Sequence, residues 1–428
     1  MYNISKRNTL IYFLLLTINV YGYDSIAADS VDKDRGNISG DNEQSVEKIA
    51  DEKSENDSVV YVKYIEPLQE VRNKYEKIKA DGGWASFKLG KTIKPQMSDS
   101  RIPTIRSILS VMGDYKKEES KEDEETDTEQ SEDVFDKRLV EAVKEFQKRH
   151  GLEIDGMIGK NTQAAMLVPV EFRIAQIEAT LKRMQEMKEL GGRYILVNIA
   201  GYYLSAVEDG EDIIKSKVIV GDVKNNTPIF NNKINHVSFN PPWYVPKSIA
   251  SEEIMAKIKE NPDFLTDGNY VVTDVYGDVI ENQDIDAEVE SGDYYRFKQL
   301  PGKGNTLGKV KFNVPNNHNI YLHSTKYPQL FNKTNRALSH GCIRVEKPKE
   351  LTHFIMKGRS GWDSSRIDKT YDSDESKIVM IKEVPVHAVY WTAWVDEKSG
   401  KPYFYPDIYE LEKDNINRIV RENKIADK

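Results

Sequence analysis

The hydrophobic period of this chain changes once, at Gly191-Gly192, and the change divides it into two parts that fold by different rules. Upstream, apolar residues recur every three or four positions: Leu68, Val71, Tyr75 and Ile78; Ile105, Ile108 and Leu109; Leu139, Val140, Val143 and Phe146. That spacing puts the apolar groups on one face of a helix. Gly151 ends the third stretch, and Asp155-Gly156 is a turn signal before a short helix over 161–166. A longer amphipathic helix runs over 171–190 until the glycine pair stops it. Downstream, apolar and polar residues alternate, the period of a strand with one buried face. Strands are predicted over 194–199, 202–207, 213–220, 235–240, 270–275, 310–314, 320–323, 378–381 and 386–395. Asp209-Gly210 suits a tight hairpin. One helical island interrupts them: Ser251 can cap a helix carrying Ile254, Met255 and Ile258, which ends before Pro262. The fold class is therefore α+β, a helical N-terminal module followed by a mostly-β domain with a helical insert.

The 428 residues suit more than one domain. A net charge of −9 argues against sequence-independent nucleic-acid binding, which needs a basic footprint. At the start, Lys6 and Arg7 precede an apolar run over 10–20, followed by the small residues Ser25, Ala27 and Ala28. This reads as a secretory signal over 1–27, cleaved on export; the alternative is a retained N-terminal anchor. Residues 28–58 are polar and charged and read as a disordered linker. The boundaries that follow are a helical module over 59–168 with an acidic insertion at about 115–133, a connecting helix over 169–192, a β domain over 193–395, and a hairpin and polar tail over 396–428.

Cys342 is the single cysteine. An exported protein meets oxidising conditions, where cysteines usually pair. A lone one is either a buried inert thiol or a reactive group. Its setting is Ser339-His340-Gly341-Cys342-Ile343-Arg344-Val345. In an extended segment, Cys342 and Arg344 share one face and the two aliphatic residues take the other. A nearby cation favours the thiolate, the nucleophilic form. Gly341 lets the backbone come close to a substrate, and the N–H groups of Gly341 and Cys342 could hold an oxyanion. His323, nineteen residues upstream at the end of a predicted strand, is the candidate base, oriented by a carbonyl near Ser324. His340 is the other histidine close in sequence. Metal binding by His323, His340 and Cys342 lacks a fourth ligand at useful spacing. Gly302, Gly304, Gly308 and Lys309 do not fit a phosphate loop, since Val310 follows the lysine. Neither a metal nor a cofactor is expected.

At these residues the chain resembles the YkuD-domain L,D-transpeptidases. Their signature is a His, a loop, then Ser or Thr followed by His-Gly-Cys; here it reads His323-Ser324 and Ser339-His340-Gly341-Cys342. Arg344 stands where the family commonly has Asn, as in its large periplasmic subgroup. Asn240-Pro241-Pro242-Trp243-Tyr244-Val245-Pro246 resembles that subgroup's approach to a capping subdomain, placed here at about 246–300. Phe146-Gln147, His150-Gly151-Leu152 and Asp155-Gly156-Met157-Ile158-Gly159 resemble a peptidoglycan-binding-like helical module.

The resemblance implies that Cys342 attacks a peptidoglycan tetrapeptide stem with His323 as base, and that a second stem accepts the acyl group to give a 3→3 cross-link. It implies that His340, Arg344, Tyr321, Trp243 and Tyr244 position the donor, and that carbapenems, a class of β-lactam, acylate the cysteine. The expected setting is the periplasm or envelope of a Gram-negative bacterium. Two other readings stand beside it: transfer to a lysine of an outer-membrane protein, and a non-catalytic wall-binding protein. A papain-like endopeptidase fits less well, because there the cysteine precedes its histidine.

Overall fold

A computed structural model describes residues 61–116, 131–187, 190–281, 285 and 294–426. The predicted signal, the linker and most of the acidic insertion lie outside the described residues. Among those described, no helix is long and apolar enough to cross a membrane.

The helical module follows its apolar periodicity. Helices Glu66–Ala80, Ile102–Val111, Lys137–Arg149, Lys160–Met166 and Val170–Gln185 appear in order. Proline stands in the first turn of the first two, where its missing N–H costs nothing. Asp136 caps the third by accepting from the Leu139 N–H at 2.7 Å. Ile105, Leu109, Leu139, Val143 and Phe146 close one core. Helix Val170–Gln185 stops short of the expected 190.

The downstream part is a nine-stranded sheet that closes on itself. Its strands are β1 (Arg193–Asn198), β2 (Tyr203–Glu208), β3 (Glu211–Gly221), β4 (Phe230–Phe239), β9 (Val310–Asn313), β10 (Leu322–His323), β11 (Ala337–Ser339), β12 (Ile343–Val345) and β13 (Lys377–Val389). They run in the order β11-β3-β12-β10-β9-β4-β13-β1-β2, and β2 also pairs with β3, which makes a barrel. Ile195, Val197, Val237, Phe312, Leu322 and Ile343 fill it. The opposite faces of β1 and β2 carry Tyr194, Leu196 and Val207, which pack on helices Glu66–Ala80 and Val170–Gln185. The helices thus cover one flank of the barrel, and the candidate site residues His323, Cys342 and Arg344 lie on another, over β9, β10 and β12.

Four differences from expectation have physical causes. The strand predicted over 386–395 ends at Val389 because the Asn198 side chain takes both main-chain bonds of Trp391, at 3.0 and 3.2 Å, and turns the chain out of the sheet. Ala393–Val395 (β14) then pairs with Pro402–Phe404 (β15). Strand β15 falls within the hairpin expected after residue 395, but the polar tail beyond it instead holds a helix, Lys413–Ala426, anchored through Val420 and an Arg183–Glu412 ion pair. Helices Pro348–Met356 and Ser364–Asp372 also went unforeseen; Leu351, Phe354, Ile355 and Ile367 bury them against the barrel core. In the insert, Ser251 lies inside a helical run that starts earlier, at Lys247, rather than capping it. The insert has its own sheet of β5 (Trp243–Tyr244), β8 (Arg296–Gln299), β6 (Tyr270–Thr273) and β7 (Val279–Ile280), and its own core of Ile254, Met255, Ile258 and Phe297.

A buried ion pair joins the module to the β14–β15 hairpin. Arg149 and Asp114 side chains are 1% and 0% exposed, and Arg149 also donates to the Pro402 carbonyl at 2.6 Å.

Candidate active site

Strands β10 and β12 lie side by side in parallel, with Leu322 opposite Ile343 and His323 opposite Arg344. Leu322 and Ile343 point into the barrel, both fully buried. Side chains alternate along a strand, so Tyr321, His323, Cys342 and Arg344 share the outer face. Neighbouring strands are about 4.8 Å apart, which sets Cys342 beside Tyr321 and diagonal to His323. Strand β9 adds Lys311, paired with His323 in register. Its ammonium lies 3.9 Å from the centre of the Tyr321 ring. The insert reaches the site through Trp243, which packs with Leu307 and Tyr321. It also reaches it through Glu253, whose carboxylate meets His340 Nε2 at 2.8 Å.

The electrostatics correct one expectation. Burial pushes the Cys342 thiol above its ordinary value; the Tyr321 main chain and hydroxyl, Lys311 and Arg344 all act the other way without offsetting it. The resting group is therefore a thiol, not a standing thiolate. Its Sγ donates weakly to the Asn319 carbonyl at 3.7 Å. His323, 3% exposed, is pushed down to about 3, first by burial and then by Arg344, so its ring is neutral at physiological pH. A neutral imidazole is the form that can accept a proton. The Ser324 and Leu307 carbonyls favour the protonated ring, yet Nδ1 is buried and makes no hydrogen bond. The Ser324 carbonyl thus lies beside the ring, as expected, without a well-aligned hydrogen bond to Nδ1; the Ser324 hydroxyl ties β9 to β10, donating to the Leu307 carbonyl at 2.9 Å and accepting from the Val310 N–H at 3.1 Å.

The depressed His323 value has a consequence for stability. The unfolded ring binds a proton below its ordinary value of 6.5, while the folded ring resists protonation down to about 3. Its contribution is complete above 6.5 and is lost as the pH falls towards 3. Between pH 6.5 and 4.5 the wild type should lose roughly 2–3 kcal/mol more than His323→Gln, measured by urea unfolding. Equal losses would remove the buried neutral imidazole.

The turn before Cys342 is braced from behind. Gly341 has φ +104°, a conformation that L side chains rarely adopt, and a Cβ there would meet Ile320 at 3.0 Å. Its carbonyl accepts from Thr227 Oγ1 at 2.7 Å, and that hydroxyl in turn accepts from the Gly221 N–H at 2.8 Å. Tyr409 closes the brace: its hydroxyl donates to the Gly221 carbonyl at 2.6 Å and accepts from the Thr227 N–H at 3.2 Å. The Gly341 N–H is already donated to Ser339 Oγ at 3.2 Å, and that hydroxyl donates to the Cys342 carbonyl at 2.6 Å. The Cys342 N–H has no partner among the described residues, which leaves it, rather than that of Gly341, as the open oxyanion donor. Thr227→Val should slow acylation of Cys342 about tenfold by loosening this turn, at a cost of about 1–3 kcal/mol in stability. Thr227→Ser should restore the rate; stopped-flow acylation kinetics decide it, and an unchanged Val variant would remove the brace from the account.

Of the residues predicted from sequence, the structure brings together Cys342, His323, Ser324, Gly341, Tyr321, Arg344 and, through Glu253, His340. Trp243 joins them, packed against Leu307 and Tyr321. Tyr244 does not: it follows Trp243 on a strand, faces the other way, is 67% exposed and lies under Lys298. Lys311, Glu253, Thr227 and Tyr409 were missed. Lys311 was readable, since it stands between the inward Val310 and Phe312.

A thiol, an imidazole on the neighbouring strand and an open main-chain N–H lie together on one face of the closed barrel. Residues 192–367 match the model described as "L,D-transpeptidase catalytic domain", and residues 100–166 match "Putative peptidoglycan binding domain". Residues 192–367 are thus similar to the YkuD-type L,D-transpeptidase catalytic domain, and residues 100–166 to a helical domain of peptidoglycan-binding type. A curated protein of Haemophilus influenzae named "Putative L,D-transpeptidase" is 38% identical over 221 residues, 51% of this chain and 44% of that protein. The chain therefore matches less than half the length of that relative. Among solved structures, the E. faecium L,D-transpeptidase catalytic domain acylated by ertapenem has 11% identity and a TM-score of 0.23, over 47% of this chain and 99% of that one. The L,D-transpeptidase of Stackebrandtia nassauensis has 16% identity and a TM-score of 0.24, over 71% and 97%. Likeness at that level says nothing of this chain's chemistry.

Proposed function

We propose that this protein is an exported peptidoglycan L,D-transpeptidase that forms 3→3 cross-links through a thioester on Cys342. The observation that carries the reading is the placement of Cys342 and His323 on one face of adjacent parallel strands, beside an unpartnered Cys342 N–H. As Sγ attacks the carbonyl of the third stem residue, its proton passes to the His323 ring. The oxyanion settles on the Cys342 N–H, where a donor aimed at developing charge is worth most. Collapse breaks the peptide bond; His323 returns the proton to the departing D-Ala amine and the thioester remains. The side-chain amine of a second stem attacks it, loses a proton through His323, and the thiol is restored. No metal or cofactor enters these steps.

Because the resting pair is neutral, charge separates only when substrate arrives. Lys311, Arg344 and the Tyr321 hydroxyl favour sulfur's negative charge at that moment. Arg344 is positioned for the donor: its Nε is buried without a hydrogen-bond partner and suits a stem carboxylate. The Trp243 and Glu253 contacts let the insert keep water from the thioester, which would otherwise hydrolyse.

Incubation with purified disaccharide-tetrapeptide, read by chromatography and mass spectrometry, tests the reading. A 3→3 dimer with loss of one D-Ala supports it. Tripeptide alone would make the enzyme a carboxypeptidase, and protein-linked stems formed only with an outer-membrane protein present would move the acceptor to a protein lysine.

A further inference from the structure

In a chain of net charge −9, one cavity is lined by four cations: Arg193, Lys357, Arg359 and Lys382. It encloses about 420 Å³ at the rim of the barrel, between the start of β1, the bulged middle of β13 and the turn after helix Pro348–Met356. None of its lining residues belongs to the catalytic cluster. Ile355, Met380 and Ile381 supply an apolar wall.

The charge is poorly compensated. Glu208 is the carboxylate that pairs with lining cations, meeting Lys357 at 2.5 Å and Arg193 at 3.7 Å. The Arg193 guanidinium lies over the Phe354 ring, 4.6 Å from its centre, and its Nε and Nη2 make no hydrogen bond. Arg359 spends its Nε on the Met380 carbonyl at 2.8 Å. Neither Arg359 nor Lys382 has a carboxylate partner among the described residues. Three positive charges in excess around one cavity suit a tetrahedral phosphate, whose oxygens several cations can share, better than a carboxylate, which one guanidinium would satisfy. The volume exceeds that of a bare anion, and the apolar wall suits the group that carries it.

We propose that this pocket is a phosphate-binding site for a phosphomonoester or phosphodiester head group whose apolar attachment lies against Ile355, Met380 and Ile381. Such a head group can come from a soluble phosphate compound or from an anionic lipid surface, and two arms separate the sources. The full chain is titrated with inorganic phosphate against chloride at constant ionic strength, with melting temperature as readout. It is also sedimented with phosphatidylcholine vesicles with or without phosphatidylglycerol. Both arms are repeated with Lys382→Glu, an exposed position whose reversal spares the fold, and with Arg359→Ala. A phosphate-dependent rise in melting temperature that Lys382→Glu weakens about tenfold in apparent affinity supports the site and a soluble ligand. Phosphatidylglycerol-dependent sedimentation lost in the same variant supports the site and a lipid source. Absence of both responses in the wild type, or responses in both variants undiminished from the wild type, overturns the site. Since no catalytic residue is altered, this outcome is independent of whether Cys342 forms a thioester.

Discussion

His323→Ala is expected to lower the rate of Cys342 acylation by a factor of about 10² or more, the scale of a removed general base. The structure gives the loss a mechanism. Burial holds the thiol protonated, so without an acceptor the only path to the thiolate is ionisation into solvent. The variant's rate should then rise about tenfold per pH unit below the Cys342 pKa, tracking the thiolate fraction. Small added imidazole should recover part of it. A folding defect alone would move neither the pH slope nor the imidazole response. A rate within twofold of wild type would pass the role to His340, whose Nε2 is engaged by Glu253.

Asp114→Ala is expected to destabilise the protein by roughly 3–5 kcal/mol, the scale for stranding one member of a buried ion pair. Arg149 would be left 1% exposed with the Pro402 carbonyl as its remaining strong partner. The β14–β15 hairpin, Lys401 included, would lose its tie to the helical module. Replacing both partners by apolar residues, Asp114→Leu with Arg149→Met, should recover much of the loss. Urea unfolding with matched slopes measures it, and an Asp114→Ala change under 1 kcal/mol would mean that the junction is solvated.

The strand pair of the candidate site was legible because alternation is local. Ile343 and Val345 flank Arg344, and one glance at that period turns Cys342 outward with it. The same rule would have found Lys311. Barrel closure was not legible, since β3 meets β12 across more than a hundred intervening residues and its pairing with β2 closes the ring. Strands β5 and β7 span two residues each, too short to show a period. Helix Lys413–Ala426 read as tail because its sequence is polar, with Val420 its buried apolar anchor. The state of the thiol was misread for another reason. Sequence shows that Arg344 is two residues from Cys342, but not that burial of both outweighs the attraction between them. The Thr227–Tyr409 brace joins segments far apart in sequence and carries no local pattern at all.

The central claim is that Cys342 is the acylated atom's owner and the site is open to a substrate. Intact-mass measurement after incubation with a carbapenem tests it on wild type and Cys342→Ala side by side. The account predicts one adduct of the drug's mass on the wild type, mapped to the peptide containing Cys342, and none on the variant. The same adduct on both proteins, or on neither, would contradict it.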